Sequence, residues 1–279
     1  MSLSPTCGTH ASGEPEVGLA STAASSLHRH GPSLYPRQVQ VLGSVIFWLF
    51  VLLTSLLLFP LAVVLWLVTL PFGPRRVLLH RFTCFWASLY TWCNPLWRIR
   101  IEGKANIVRG REYVLVANHL SIVDILVLFR LFEDFKWVSK AEVFRAPLIG
   151  WNMWLNGYVP VRRGQRASVL EMMDSCRRAL RTGSSLMIFP EGTWSVDGKL
   201  RPFKPGAFEL AHEEGVAIVP MVIRGSGDAM PATGFTIRGR CQISVTVLPE
   251  VPVTTVESMT PTDLAAVVRE LIASEQQRR

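Results

Sequence analysis

Apolar and polar positions follow different rhythms along the chain. Between Arg37 and Arg75 no charged residue occurs, and Val41 to Phe72 is almost entirely apolar. A bilayer crossing needs ~20 apolar residues, so this run is more than one span and less than two comfortable ones. Pro60, near its middle, can kink or break a helix. The run reads as an N-terminal membrane helix or helical hairpin: one long tilted transmembrane span, or two short helices that dip in and return. A buried hairpin of a soluble protein is the remaining alternative. Residues 1–36 are rich in Ser, Gly, His, Thr and Pro without periodicity and read as a disordered tail. The apolar run begins too late and lasts too long for a secretory signal.

Beyond about Trp97 the rhythm becomes that of a globular domain. Strand-like runs fall at Tyr113–Ala117, Lys136–Ser139, Tyr158–Val161, Ser185–Phe189, Val216–Ile223 and Gln242–Leu248. The clearest helical pattern runs from Arg166 to Arg181, with Val169, Leu170, Met173, Cys176 and Leu180 on one face and Gly183 as a stop. Another closes the chain from Pro261 or Thr262, with Leu264, Val267, Val268 and Leu271 inward. Strands alternating with helices imply an α/β domain. The chain thus divides into a tail over 1–36, a membrane-anchoring helical segment over 37–97 and a folded domain over 98–279.

Composition sharpens the choice of partner. The chain is 49% apolar with a mean hydropathy of +0.29, high for a soluble domain. Its net charge of +8 implies anionic partners. The apolar run favours membrane lipid, and no helix-turn-helix, zinc-finger or RNA-binding signature argues for nucleic acid. Arg75, Arg76, Arg81, Arg98 and Arg100 follow the apolar run, which by the positive-inside rule places the folded domain on the cytoplasmic face. Trp86, Trp92 and Trp97 suit either an interfacial zone or an ordinary core. The five cysteines are scattered without a Cys-x-x-Cys pair, and His10, His28, His30, His80 and His212 lack ligand spacing, so neither disulfides nor a metal are expected.

Candidate chemistry begins at Asn118-His119-Leu120-Ser121-Ile122-Val123-Asp124, directly after the apolar run Tyr113–Ala117. On one continuous helix His119 and Asp124 would point ~140° apart. They can meet if His119 sits in the turn leaving a strand and Asp124 in the first turn of the next helix, which Ser121, in capping-box spacing with Asp124, would start. Asp124 could equally be an ordinary first-turn acid. A second stretch, Phe189-Pro190-Glu191-Gly192-Thr193-Trp194-Ser195, presents a carboxylate and backbone N–H groups at a strand end. Lys204 then precedes what reads as a helix start, a natural anion site. A third, Gly157 to Arg163, is a strand ending in Arg162 and Arg163. In the fourth, Ile218-Val219-Pro220-Met221-Val222, a proline interrupts an apolar strand and suggests an edge, a bulge or a lined groove.

Taken in order behind an apolar anchor, these four stretches resemble the glycerolipid acyltransferase family, of which the bacterial 1-acyl-sn-glycerol-3-phosphate acyltransferases are the type. Its blocks read His-x4-Asp, Gly-x-x-Phe-x-x-Arg, Phe-Pro-Glu-Gly-Thr-Arg-Ser and a Val-Pro strand. They correspond here to His119 and Asp124, to Gly157 and Arg163, to Phe189 through Ser195, and to the strand around Pro220. The resemblance covers roughly residues 104–248. It implies a central mixed sheet flanked by helices and a membrane-bound enzyme of phospholipid biosynthesis making phosphatidic acid. His119 would be the general base and Asp124 would orient its ring. A histidine suits this, because its ordinary pKa of ~6.5 leaves it mostly neutral near pH 7. Arg163 and Lys204 would bind the acceptor's phosphate, Gly192 and Thr193 would offer N–H donors, and Glu191 would orient the acceptor or its cationic partners. No bound cofactor is implied; acyl-CoA or acyl-carrier protein is the co-substrate and a lysophospholipid the acceptor. Two departures stand out. Trp194 occupies the usual arginine position, and Arg162 a position that is commonly acidic. They leave open another lyso-lipid acceptor, or a silent lipid-binding scaffold.

Overall fold

The computed structural model describes residues 36–278 apart from Val196, Ala232 and Thr233, so the tail expected over 1–36 lies outside it except for Pro36. Seven strands form one sheet: β1 (Trp97–Glu102), β2 (Tyr113–Ala117), β3 (Phe135–Lys140), β4 (Val159–Val161), β5 (Ser185–Ile188), β6 (Ala217–Arg224) and β7 (Cys241–Val247). Their order is β1-β7-β6-β2-β5-β3-β4. All neighbours are parallel except β6 and β7, which makes the sheet mixed. β2 is buried at every position, as a central strand covered on both faces must be.

The alternation along β2 assigns the two faces. Tyr113, Leu115 and Ala117 pack with residues of α1 (Arg37–Thr69), α2 (Val77–Trp92) and α3 (Val123–Phe129). Val114 and Val116 pack with α5 (Arg166–Arg181), α6 (Gly206–Glu214), α8 (Val253–Ser258) and α9 (Pro261–Gln277). The short α4 (Ile149–Leu155) lies beside α1, and α7 (Ser226–Ala229) follows β6.

The apolar run forms one unbroken helix through Pro60. A stripe of α1 comprising Ser44, Phe47, Val51, Ser55 and Ala62 is buried, while large side chains on its other sides are exposed. α2 packs back along this stripe, where Tyr90 Oη meets Ser55 Oγ at 3.2 Å and receives a hydrogen bond from Trp86 Nε1. The hairpin is also tied down by polar groups. His80, fully buried, pairs through Nδ1 with Tyr158 Oη at 2.8 Å and through Nε2 with the Glu133 carbonyl at 2.9 Å. Lys136 Nζ donates to the carbonyls of Arg75 and Asn156.

Several expectations need correction. β1 was not anticipated, although Trp97-Arg98-Ile99-Arg100-Ile101-Glu102 alternates as a half-buried strand should. Of the three tryptophans left between interface and core, Trp86 and Trp97 are core residues and Trp92 is exposed. On α5, Met173, Cys176 and Leu180 are buried but Val169 and Leu170 are exposed; on α9, Val267 and Leu271 are exposed while Ala265 and Ile272 are buried. α9 is capped by Thr260, whose side chain accepts from the Asp263 N–H. Pro220 sits in a central strand, not at an edge. Its carbonyl receives the Leu248 N–H, so its ring faces the side where β7 has already ended, and no bond to β2 is lost.

Candidate active site

The parallel strands β2, β5, β3, β4 and β6 end at one edge of the sheet. There the chain leaves β2 toward β3 on one side and leaves the neighbouring β5 toward β6 on the other, the place where open α/β sheets form crevices. His119 occupies the turn leaving β2 and Asp124 the first turn of α3, with Nδ1 and Oδ2 2.9 Å apart. The helix begins at Val123, two residues later than expected, because Ser121 Oγ accepts from the Val123 N–H and donates to the Met230 carbonyl. Asp124 Oδ2 also accepts the N–H groups of Leu120 at 2.6 Å and Ser121 at 2.9 Å. With three donors on one carboxylate oxygen, the hydrogen of the His119–Asp124 bond belongs to Nδ1. Nε2 is therefore the lone-pair nitrogen, and no partner engages it among the described residues.

The ring is held on its other sides by aromatic residues. Phe189 stacks on it with centroids 3.8 Å apart and planes within 5°. Trp194 meets it edge-on at 5.8 Å. The Ser195 N–H donates to the His119 carbonyl at 2.8 Å, which fixes the β5 turn against the β2 turn. Glu191 is buried, and its carboxylate spans two loops: Oε1 accepts the His119 N–H at 2.8 Å and Oε2 the Arg201 N–H at 3.0 Å. Burial raises its pKa, opposed by these backbone donors. Both carboxylate oxygens thus face backbone, so in this arrangement Glu191 braces the turn that carries His119. Asn118 does the same toward β6, exchanging two hydrogen bonds with the backbone of Ile223.

The remaining expected residues surround this core. Gly192 adopts φ +68°, and a Cβ there would lie 2.9 Å from both Cε and Nζ of Lys204, so the lysine ammonium rests on the glycine turn. The Gly192 N–H closes that turn onto the Phe189 carbonyl, which leaves the Thr193 N–H as the one of the expected pair without a backbone partner among the described residues. Lys204 and Arg163 are both exposed, and neither forms an ion pair among the described residues. Arg163 follows β4, three strand spacings or ~14 Å from β2, so it lies at the same edge but not beside His119. Sequence reasoning missed the roles of Phe189, Asn118 and Arg201. Only Asn118 left a signal, as a polar residue ending an apolar strand.

Residues 98–224 match the family model described as Acyltransferase. This stretch is similar to the acyltransferase family. It contains every residue of the site: His119, Asp124, Arg163, Glu191, Gly192, Thr193 and Lys204. A 1-acyl-sn-glycerol-3-phosphate acyltransferase of Chlamydomonas reinhardtii is 38% identical over 191 residues, 68% of this chain and 57% of its own length. A chloroplastic enzyme of the same description from Arabidopsis thaliana is 41% identical over 162 residues, covering 57% of this chain and 45% of that protein. The alpha form from Mus musculus is 34% identical over 173 residues, 61% and 59% of the two chains. The chain thus spans about half the length of the curated relatives it matches. The likeness of fold extends beyond this stretch. The crystal structure of the 1-acyl-sn-glycerophosphate acyltransferase PlsC from Thermotoga maritima superposes with a TM-score of 0.71 over 87% of this chain and 99% of that one, at 19% identity.

Proposed function

We propose that the protein transfers an acyl chain from an acyl thioester to the free hydroxyl of 1-acyl-sn-glycerol 3-phosphate, giving phosphatidic acid. The observation that carries this reading is the buried His119–Asp124 pair with Nε2 unengaged at a sheet edge lined by cations. Nε2 takes the hydroxyl proton as the oxygen attacks the thioester carbonyl. Asp124 holds the imidazolium that forms. The C–S bond then breaks and the thiolate leaves with that proton. The substrate alcohol is itself the nucleophile, so no covalent enzyme intermediate is required. Lys204, with the Thr193 N–H beside it, and Arg163 further out supply the charge for the acceptor's phosphate. The donor is acyl-CoA or acyl-carrier protein.

The same reading extends to the membrane. Residues Arg37–Phe72 are long and apolar enough to cross a bilayer. The buried stripe from Ser44 to Ala62 covers ~27 Å of helix, however, and holds α1 lengthwise against the domain. This favours α1 lying in one leaflet rather than crossing. Arg75, Arg76 and Arg81 at its end favour the anionic cytoplasmic leaflet.

The test offers labelled oleoyl-CoA or acyl-carrier protein to membranes holding the protein, with a panel of lysophospholipids. Phosphatidic acid from lysophosphatidic acid is the expected product. The edge-on contact of Trp194 with His119 favours one second reading, in which the same chemistry serves a different lysophospholipid. Product from another acceptor alone would select it.

A further inference from the structure

The helix α4 exposes its largest apolar side chains. Its inward side packs Met153 and Leu155 against the core and also carries polar groups: Asn152 is buried and donates to Thr83 Oγ1 at 3.1 Å, and Asn156, just past its end, donates to the same oxygen at 3.0 Å. Its outward side is apolar, with Ile149, Trp151 and Trp154 exposed at 43%, 47% and 54%. A surface helix in water has the opposite arrangement. The outward patch continues into α1, whose Phe59 ring lies 5.7 Å from that of Trp151. Cations flank it. Arg145 precedes α4 and has no ion pair among the described residues, and Arg76 donates to the carbonyls of Trp154 and Leu155. Two tryptophans beside arginines match the composition that settles at a bilayer's headgroup level.

We propose that α4 is a second membrane contact, with Trp151, Trp154 and Ile149 seated in the interfacial zone of the leaflet that holds α1. The proposal rests on the membrane reading above and deepens it. A single in-plane helix leaves the domain free to roll about the helix axis. A contact off that axis removes the roll and fixes the height of the sheet edge that carries His119. Phosphates of anionic lipids pair with Arg145, which is exposed and without an ion pair among the described residues.

The experiment uses the full chain with vesicles of phosphatidylcholine and phosphatidylglycerol. Tryptophan emission of the wild type minus that of W151F/W154F isolates the two indoles. This difference signal should be quenched by lipids brominated near the headgroup end of the acyl chain and shielded from aqueous iodide. In parallel, W151S/W154S should bind vesicles at least about tenfold more weakly, as expected for withdrawing two large aromatic surfaces from apolar surroundings. Its acyl transfer to bilayer-borne acceptor should fall further than its transfer to a short-chain, water-soluble acceptor. Quenching by iodide and not by brominated lipid would overturn the proposal, even in a fully active enzyme. Shielding from both quenchers, with a dimer that W151S/W154S dissociates, would assign the face to a second copy instead. Wild type that fails to float with vesicles would remove the membrane reading as well. Quenching needs no catalysis, so loss of the acyltransferase reading alone would leave this result standing.

Discussion

At the residue scale, the site works because one oxygen of Asp124 collects three hydrogen bonds. It orients the His119 ring and, through the Leu120 and Ser121 N–H groups, shapes the turn that carries it. Asp124→Asn should therefore lower kcat by more than ~100-fold, within the range expected for a misoriented general base. It should also lower Tm, because the amide nitrogen replacing the buried, unpartnered Oδ1 would bury donors without an acceptor. Glu191 makes a sharper test. As a brace between the His119 and Arg201 N–H groups, its change to Gln leaves one buried donor poorly paired, a loss of about 1–3 kcal/mol. Thermal unfolding should show that loss together with a reduced kcat. A raised KM for acceptor with unchanged Tm would mean that Glu191 touches substrate instead. Gly192→Ala places a Cβ against the Lys204 ammonium at a left-handed backbone position, a strain of about 1–3 kcal/mol. Acceptor KM should rise, since the displaced cation is the one that rests on the Gly192 turn.

At the scale of elements, the buried His80 links α2 to the sheet. Burial, followed by the nearby Lys136 charge, pushes its pKa down to about 3. The unfolded chain protonates His80 below ~6.5 whereas the folded chain does not until about pH 3. In that window the unfolded state binds more protons, so stability falls as pH falls. His80→Gln should be less stable at pH 7, because Tyr158 and the Glu133 carbonyl lose a well-placed partner. Its stability should nonetheless decline less steeply between pH 6.5 and 4, by up to about 1.4 kcal/mol per pH unit. Parallel slopes from thermal unfolding of the two proteins would contradict this assignment.

The elements also show what the sequence could and could not reveal. Strands such as Tyr113–Ala117 and the helix Arg166–Arg181 were legible because burial on one or both faces writes an apolar period into the residues. β1 was hidden by two arginines and by its position just after the anchor. Val169 and Leu170 misled because apolar residues at helical spacing do not say how far a neighbouring layer extends. Of the site, the local pair His119 and Asp124 could be read from spacing. The brace from Glu191 to His119 spans 72 residues of sequence, and the stacking of Phe189 depends on β5 lying beside β2. Neither is written in any local pattern.

At the scale of the whole molecule, one face of the sheet carries α1 and one edge carries the His119–Asp124 pair, so under the proposed function the placement of α1 determines whether lipid acceptors reach His119. An in-plane α1 makes a topological prediction. Thiols introduced by Gln38→Cys and Pro74→Cys, in a background lacking Cys7 and Cys93, should react with an impermeant thiol reagent from the same side of sealed vesicles. Labelling from opposite sides would establish a crossing helix. The central claim, that His119 is the base of an acyl transfer, is tested most directly by one measurement. It is the rate of phosphatidic acid formation from lysophosphatidic acid and oleoyl-CoA by wild type and His119→Ala at equal folded concentration. The expected result is product from the wild type and a loss of at least ~100-fold in the variant with its Tm preserved. A variant that retains a tenth or more of the wild-type rate would contradict the account.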